Sequence, residues 1–184
     1  MTHILTLAGS PASPSRSSAL LAYCARLLEA DGITADALAV RDLDAADLLH
    51  ANVKGPTIQD ALVRVAAADG IIIATPVYKA AYTGVLKAFL DVLPGGALAH
   101  KIVLPLVSGA SSGHALVLDY ALKPVLAALN AGLILNGVYL LDSQFEHANG
   151  AITRFTADDA ETRLIESVQN FAKALHHLAD APES

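Results

Sequence analysis

Hydroxyl groups and one guanidinium crowd together near the amino end of the chain, where they could bind an anion. They lie between a short apolar run that ends at Ala8 and an amphipathic stretch that begins near Ser17 or Ser18. The residues are Ser10, Ser13, Ser15, Arg16 and Ser17. A loop that joins a strand to a helix presents free N–H groups and the positive end of the helix dipole, which suits phosphate. The stretch therefore predicts a phosphate site, or else an ordinary turn in which Ser17 or Ser18 caps the helix.

The same loop, Gly9–Ser18, is rich in hydroxyls and poor in glycine, which bears on the kind of phosphate it would hold. It contains neither the Gly-x-Gly-x-x-Gly dinucleotide fingerprint nor the Gly-Lys-Ser/Thr phosphate loop. A terminal monophosphate, wrapped by side chains and amides, fits such a loop better. Flavin mononucleotide (FMN) carries a phosphate of this kind.

A second loop has residues that would suit a flat aromatic ring. In Ala74–Gly84, Pro76 ends the preceding strand abruptly, so the amides that follow would face a cleft and could hydrogen-bond an isoalloxazine. Tyr78 and Tyr82 would wall the ring, and Lys79 would add a cation. The same residues also fit a plain proline turn with two half-buried tyrosines.

A third loop, Ser108–Gly113, consists of small residues that would let a ring approach the backbone closely. His114 follows at the start of a predicted helix, where a histidine is commonly a capping or surface residue. The seven histidines show no metal-ligand spacing, so the sequence predicts no metal site.

Apolar runs of strand length alternate with amphipathic stretches of helix length, and this alternation would position the three loops. The predicted strands are 4–8, 33–40, 71–75, 101–107 and 132–141; the predicted helices are 18–30, 57–68, 84–93, 114–130 and 157–178, with a short turn near 44–49. The pattern predicts a flavodoxin-like α/β fold, with a five-stranded parallel sheet of order 2-1-3-4-5 and helices on both faces. Ligands of such sheets bind beyond the carboxyl ends of the strands, so the three loops would form one site.

Composition narrows the function classes. The 184 residues fit one domain, expected over 1–178 with a frayed tail at 179–184, and the net charge of -6 argues against a nucleic-acid surface. No apolar run approaches the roughly 18 residues that cross a bilayer. One cysteine, Cys24, and no recognisable signal peptide favour the cytoplasm. The 54% hydrophobic content hints at buried subunit interfaces.

Three segments together resemble the NADPH-dependent FMN reductase family. They are Leu7-Ala-Gly-Ser-Pro through Pro-Ser-Arg-Ser-Ser18, Ala74–Gly84, and Asp119-Tyr-Ala-Leu-Lys-Pro-Val-Leu126, and the likeness runs from about residue 3 to about residue 145. Within the family, the chain is most similar to reductases of two-component alkanesulfonate monooxygenase systems. The resemblance implies an enzyme that reduces free FMN with NADPH or NADH and hands reduced flavin to a partner monooxygenase, which releases sulfite from organosulfonates.

The resemblance also assigns site residues. The FMN phosphate would be held by Ser10, Ser15, Arg16, Ser17 and Ser18, and the ring would be bordered by Pro76, Val77, Tyr78, Lys79, Ser108, Gly109 and Ala110. Relatives often have a second glycine or a threonine where this chain has Ala110 and Ser111. Hydride transfer from nicotinamide to flavin needs no general acid, nucleophile or metal, so the expected task of these residues is to stack and orient two rings.

Pro124 lies inside the predicted helix 114–130. It lacks an N–H and clashes with the carbonyl of Tyr120, a conflict that helices relieve with a kink or a π-bulge. The resemblance implies a π-bulge at Tyr120, on a tetramer interface close to the flavin, where it would modulate flavin binding; the chain itself is expected to be a homo-oligomer, a dimer or a tetramer. The alternative is a simple proline kink with Tyr120 in the core.

Two other activities fit the same residues. One is a reductase of quinones, azo compounds or chromate that keeps its FMN bound. The other is a flavodoxin-type electron carrier without nicotinamide activity, for which the charge of -6 is only mildly acidic.

Overall fold

The structure, a computed structural model, describes residues 2–179. Its strands are β1 (Ile4–Ala8), β2 (Ala35–Ala39), β3 (Gly70–Pro76), β4 (Ile102–Gly109), β5 (Leu133–Ile134), β6 (Val138–Leu141), β7 (Phe145–Ala148) and β8 (Ala151–Phe155). Its α-helices are α1 (Arg16–Ala30), α2 (Ala45–Leu49), α3 (Pro56–Ala67), α4 (Gly84–Val92), α5 (Lys123–Ala128) and α6 (Asp158–Ala179). The tail predicted for 179–184 lies, from residue 180 onward, outside the described residues. Among the described helices, none is both long and apolar enough to cross a membrane.

The central sheet is parallel and runs in the order β2-β1-β3-β4-β5, with β6 also paired to β4. This confirms the predicted fold class and strand order. The register aligns the carboxyl ends of neighbouring strands: Ala8 lies opposite Ala74, and Pro76 opposite Ser108. Because these ends meet at one edge of the sheet, the loops that follow β1, β3 and β4 are brought together there.

Both faces of the sheet are covered by helices, as the apolar composition of the strands requires. In β3, alternate residues enter two different cores: Ile71 and Ile73 pack with α3 and α4, whereas Ile72 and Ala74 pack with α1 and α6. The strand therefore contributes side chains to the cores on both faces of the sheet, and the sheet rigidly supports the loops at its edge.

The predicted strand 132–141 is wrong as a single element. The chain instead makes two short strands, β5 and β6, which pair with the first and second halves of β4. Gly137 separates them with a φ of +77°, and a Cβ there would lie 2.3 Å from the carbonyl oxygen of Pro105. The backbone crosses β4 so closely at this point that only glycine fits.

The predicted helix 114–130 is also wrong as one regular helix. A 3-10 turn spans Ser112–His114, a π-helix spans Leu118–Leu122, and α5 begins only at Lys123. Tyr120 is in the middle of the π-helix, and its side chain is 79% exposed rather than packed in the core. The wider turn accommodates Pro124, which has no N–H to donate to the carbonyl of Tyr120.

An antiparallel hairpin, β7–β8, was not predicted. Its turn is Asn149–Gly150, with φ values of 51° and 78°, the left-handed pair that a two-residue hairpin turn needs. The hairpin packs on α1 through Tyr23 and Phe155, whose ring centroids are 5.2 Å apart in an edge-to-face arrangement. The Asn-Gly pair was the sequence signal that could have revealed it.

Candidate functional site

A cavity of about 190 Å³ lies at the edge of the sheet where the carboxyl ends of β1, β3, β4 and β6 meet. Its walls are formed by Ser10, Ala12, Pro14, Ser15, Arg16, Ser17, Pro76, Val77, Tyr78, Ser108, Gly109, Asp142 and His147. Nine of the twelve binding residues predicted from sequence are among them. The structure thus brings the three predicted loops into one site.

Thr83 joins the first two loops below the cavity. Its hydroxyl donates to the carbonyl of Gly9 and accepts from the amide of Leu86, so it also caps α4. Gly9 itself has no room for a side chain, because a Cβ there would lie 2.8 Å from Leu86. The loop after β1 is therefore pressed against the start of α4, which fixes its path.

The helix α1 starts earlier than the sequence predicted. It begins at Arg16, and its cap is Ser15, whose hydroxyl accepts from the amide of Ser18 at 3.1 Å. The expected cap, Ser17 or Ser18, is wrong. The first-turn amides of Arg16 and Ser17 thus stand at the positive end of the helix dipole, beside the cavity.

Ser17 and Ser18 have different surroundings. The Ser17 side chain is 1% exposed and its Oγ has no hydrogen-bond partner in the described structure. The Ser18 hydroxyl is used within the protein, since it bonds to Ser15 Oγ at 2.9 Å and accepts from Arg41 at 3.1 Å. Ser18 is not among the cavity walls, and Arg41, which the sequence did not single out, braces the loop from behind.

Pro76, the last residue of β3, and Val77 and Tyr78, which follow it, form one part of the cavity wall. Two amides expected to face the cleft are already bonded: that of Val77 donates to Ser108 O, and that of Tyr78 donates to Ala81 O. Lys79 is exposed in this tight turn with a φ of 51°, and it does not line the cavity.

The end of β4 supplies a further hydroxyl. Strand β4 continues through Gly109, so Ser108 and Gly109 belong to a strand rather than to the predicted loop. Ser108 Oγ is buried and, like Ser17 Oγ, has no partner in the described structure. Gly109 lies beneath Tyr139, whose Oη would be 2.5 Å from a Cβ at that position. Ala110 is exposed and lies off the cavity.

Tyr139 holds the next part of the chain in place. Its hydroxyl donates to the carbonyl of Ser111 at 2.6 Å. Burial, with a further contribution from the Asp142 carboxylate, raises the pKa of Tyr139, so the phenol keeps its proton at neutral pH.

Four wall residues were not among the predicted twelve: Ala12 and Pro14 lie within the first predicted loop, whereas Asp142 and His147 lie outside all three loops. Asp142 begins the 3-10 turn after β6, and its Oδ1 lies 3.5 Å from Nε of Arg16. His147 is on β7, and its Nδ1 is buried without a partner in the described structure. Both follow β6, and the predicted strand 132–141 ends at the same residue, Leu141, so the carboxyl end of that strand was the available signal.

The donor set fits the phosphate and the polar ring edge of FMN. A buried hydroxyl without a partner is destabilising, and a ligand that bonds to it recovers that free energy. Ser17 and Ser108 provide two such hydroxyls in the cavity wall, and Arg16 provides a charge at a helix amino end. Among residues 2–179, no cluster of three or more acidic, histidine or cysteine side chains could hold a metal ion.

A doubly wound α/β fold with a hydroxyl-lined pocket at its switch point is characteristic of flavin-binding proteins. Residues 2–146 match the family described as NADPH-dependent FMN reductase. The chain belongs to this family, which confirms the resemblance drawn from its three loops.

Relatives agree with this assignment. The FMN reductase (NADPH) of Pseudomonas putida KT2440 is 45% identical over 172 residues, which cover 94% of this chain and 87% of the relative. The FMN reductase (NADPH) of Escherichia coli K12 is 44% identical over 176 residues, 94% of this chain and 90% of the relative. An apo NADH:FMN oxidoreductase (EMOB) has a similar structure, with a TM-score of 0.86 and 36% identity over 99% of this chain and 92% of its own.

Proposed function

We propose that this protein reduces FMN with NADPH or NADH and passes the reduced flavin to a partner monooxygenase that desulfonates organosulfonates. The first part follows from its membership of the FMN reductase family. The observation that carries it is the pair of buried, unpartnered hydroxyls, Ser17 and Ser108, on the walls of a cavity that also contains Arg16. The second part is supported by the resemblance to reductases of two-component alkanesulfonate systems.

In this proposal, the phosphate of FMN binds at the amino end of α1. Arg16 and the hydroxyls of Ser10 and Ser17 donate to it, and Ser15 holds the first turn of the helix in shape. The ring lies between the walls made by Pro76–Tyr78 and Ser108–Gly109. FMN supplies the hydride acceptor, and the protein's residues bind it, orient it and exclude water.

A steady-state assay of NADPH and NADH oxidation with added FMN tests the activity. Arg16→Ala should raise the KM for FMN roughly 10- to 100-fold, because a charge-assisted hydrogen bond to phosphate is lost. Riboflavin has no phosphate, so its KM should not change. Arg26→Ala is the matched control, since Arg26 is exposed on the same helix and does not line the cavity.

Two other outcomes would contradict the proposed activity. A protein that keeps FMN through purification, ignores free FMN and reduces quinones or chromate would be the alternative reductase. Bound FMN with no oxidation of either nicotinamide nucleotide would indicate an electron carrier.

The proposed partner is tested in an assay that couples the reductase to a monooxygenase. The reductase, NADPH, FMN, an alkanesulfonate and an FMNH2-dependent alkanesulfonate monooxygenase should together release sulfite in air, and omission of either protein should abolish it. We extend the proposal to the cytoplasm, where the single buried thiol of Cys24 would remain reduced.

We also propose that the chain forms a homo-oligomer, a dimer or a tetramer, through the π-helix. Tyr120 in the π-helix is 79% exposed and Leu116, two residues before that helix begins, is 60% exposed, beside a surface cavity of about 450 Å³ that Ala80, Val117 and Ala121 help to line. Apolar and aromatic side chains at this level of exposure are typical of contact surfaces.

A further inference from the structure

Arg16, which would bind the flavin phosphate, is already paired with an acidic side chain. Its Nε lies 3.5 Å from Oδ1 of Asp142, and the two side chains are 41% and 34% exposed. Both residues line the cavity. A carboxylate on the wall of an anion site repels the anion and attracts the cation meant for it, so its position there requires an explanation.

Asp142 is held in this position by the fold. It starts a 3-10 turn in which the amide of Leu141 donates to Oε1 of Gln144 at 2.9 Å. Phe145, the next residue after the turn, is 2% exposed and anchors the chain in the core. From α6, Arg163 donates to the carbonyl of Tyr139 at 3.1 Å. The carboxylate is thus carried by a backbone segment that is fixed at both ends.

We propose that Asp142 limits the affinity for FMN by competing with its phosphate for Arg16, so that reduced flavin leaves the enzyme readily. This inference rests on the proposed function, because it concerns a flavin that must depart. When phosphate enters, the guanidinium exchanges a carboxylate partner for a phosphate partner. When reduced flavin leaves, Asp142 takes the guanidinium back as an ion pair, so the charge of Arg16 keeps a counter-charge, although its Nε has no hydrogen-bond partner in the described structure.

The test removes the negative charge of Asp142 and keeps the shape of its side chain. Asp142→Asn should lower the Kd for FMN about fivefold to tenfold, the scale expected for one unit charge a few ångströms from a partly exposed anion. The Kd for riboflavin should not change, because it has no phosphate. Both constants are measured by flavin fluorescence quenching, and the dissociation rate of FMN should fall in proportion.

Asp91→Asn is the matched control. Asp91 forms an exposed ion pair with Lys87 on α4 and does not line the cavity, and the substitution changes the net charge by the same amount. Its Kd for FMN should equal that of the wild type. An effect shared by both variants would be a general charge effect and would overturn the proposal.

Equal or weaker FMN binding by Asp142→Asn would also overturn it and would make Asp142 a residue that orients Arg16 for binding. These outcomes are distinct from failure of the proposed function. In that case, wild-type protein would not bind FMN, or Arg16→Ala would bind FMN and riboflavin as the wild type does.

Discussion

At the scale of single residues, two serines that are two positions apart have separable roles. Ser15 caps α1 with a made hydrogen bond, whereas the Ser17 hydroxyl is buried and has no partner in the described structure. Ser15→Ala should lower the free energy of unfolding by about 1 kcal/mol, the usual cost of losing a helix cap. Ser17→Ala should leave it unchanged or slightly raised, because a desolvated hydroxyl is removed.

Ser17→Ala, which should not destabilise the protein, should nevertheless impair ligand binding. Ser17→Ala should weaken FMN binding roughly tenfold, since a hydrogen bond to a charged phosphate is lost. Urea unfolding without flavin and FMN titration of the same preparations give both quantities. If Ser17→Ala destabilised the protein and left FMN binding unchanged, the hydroxyl would be part of the core and not of the site.

At the scale of elements, two glycines with nearly the same positive φ should respond differently to substitution. Gly137, between β5 and β6, has a φ of +77°, and Gly150, in the β7–β8 turn, has a φ of +78°. A Cβ at Gly150 would meet no atom within 4 Å, whereas one at Gly137 would meet a backbone oxygen at 2.3 Å. The two glycines therefore have similar φ values but differ in the space available for a side chain.

Gly150→Ala should therefore lower the free energy of unfolding by about 1 kcal/mol, the conformational cost alone. Gly137→Ala should lower it by about 3 kcal/mol or more, because a rigid backbone clash is added. Urea unfolding of the two variants measures the difference. Equal losses would show that β6 can move away from β4 without cost.

Sequence periodicity predicted the regular elements and missed the interruptions. The strands β1 and β3 and helix α4 are apolar or amphipathic throughout and were placed within two residues. The break at Gly137 depends on how close Pro105 lies on a neighbouring strand, which no local pattern contains. The π-helix was anticipated through the resemblance and through Pro124, an effect that is local and therefore readable from the chain.

At the scale of the whole molecule, the site could be predicted because parallel strands end at one edge. That rule placed Ser17, Val77 and Ser108 together although they are far apart in sequence. It could not separate hydroxyls that face the cavity from those, such as that of Ser18, that the protein uses itself. It would also have pointed to Asp142, which directly follows the end of the predicted strand 132–141, but it was applied only to the loops after the first, third and fourth strands.

The exposed surface at the π-helix gives the last prediction, which concerns assembly. Leu116→Glu should shift the protein to a smaller species in sedimentation velocity, because an interface would have to bury an unpaired charge at a cost of several kcal/mol. Val63→Glu is the control, as Val63 is 66% exposed on α3, away from the π-helix.

Wild type and Val63→Glu should sediment alike as oligomers. A monomeric wild type, or a Leu116→Glu variant that sediments with it, would exclude this surface. Ala80 lines this surface and lies two residues after Tyr78, which forms part of the cavity wall. Assembly at this surface would therefore fix one wall of the flavin site.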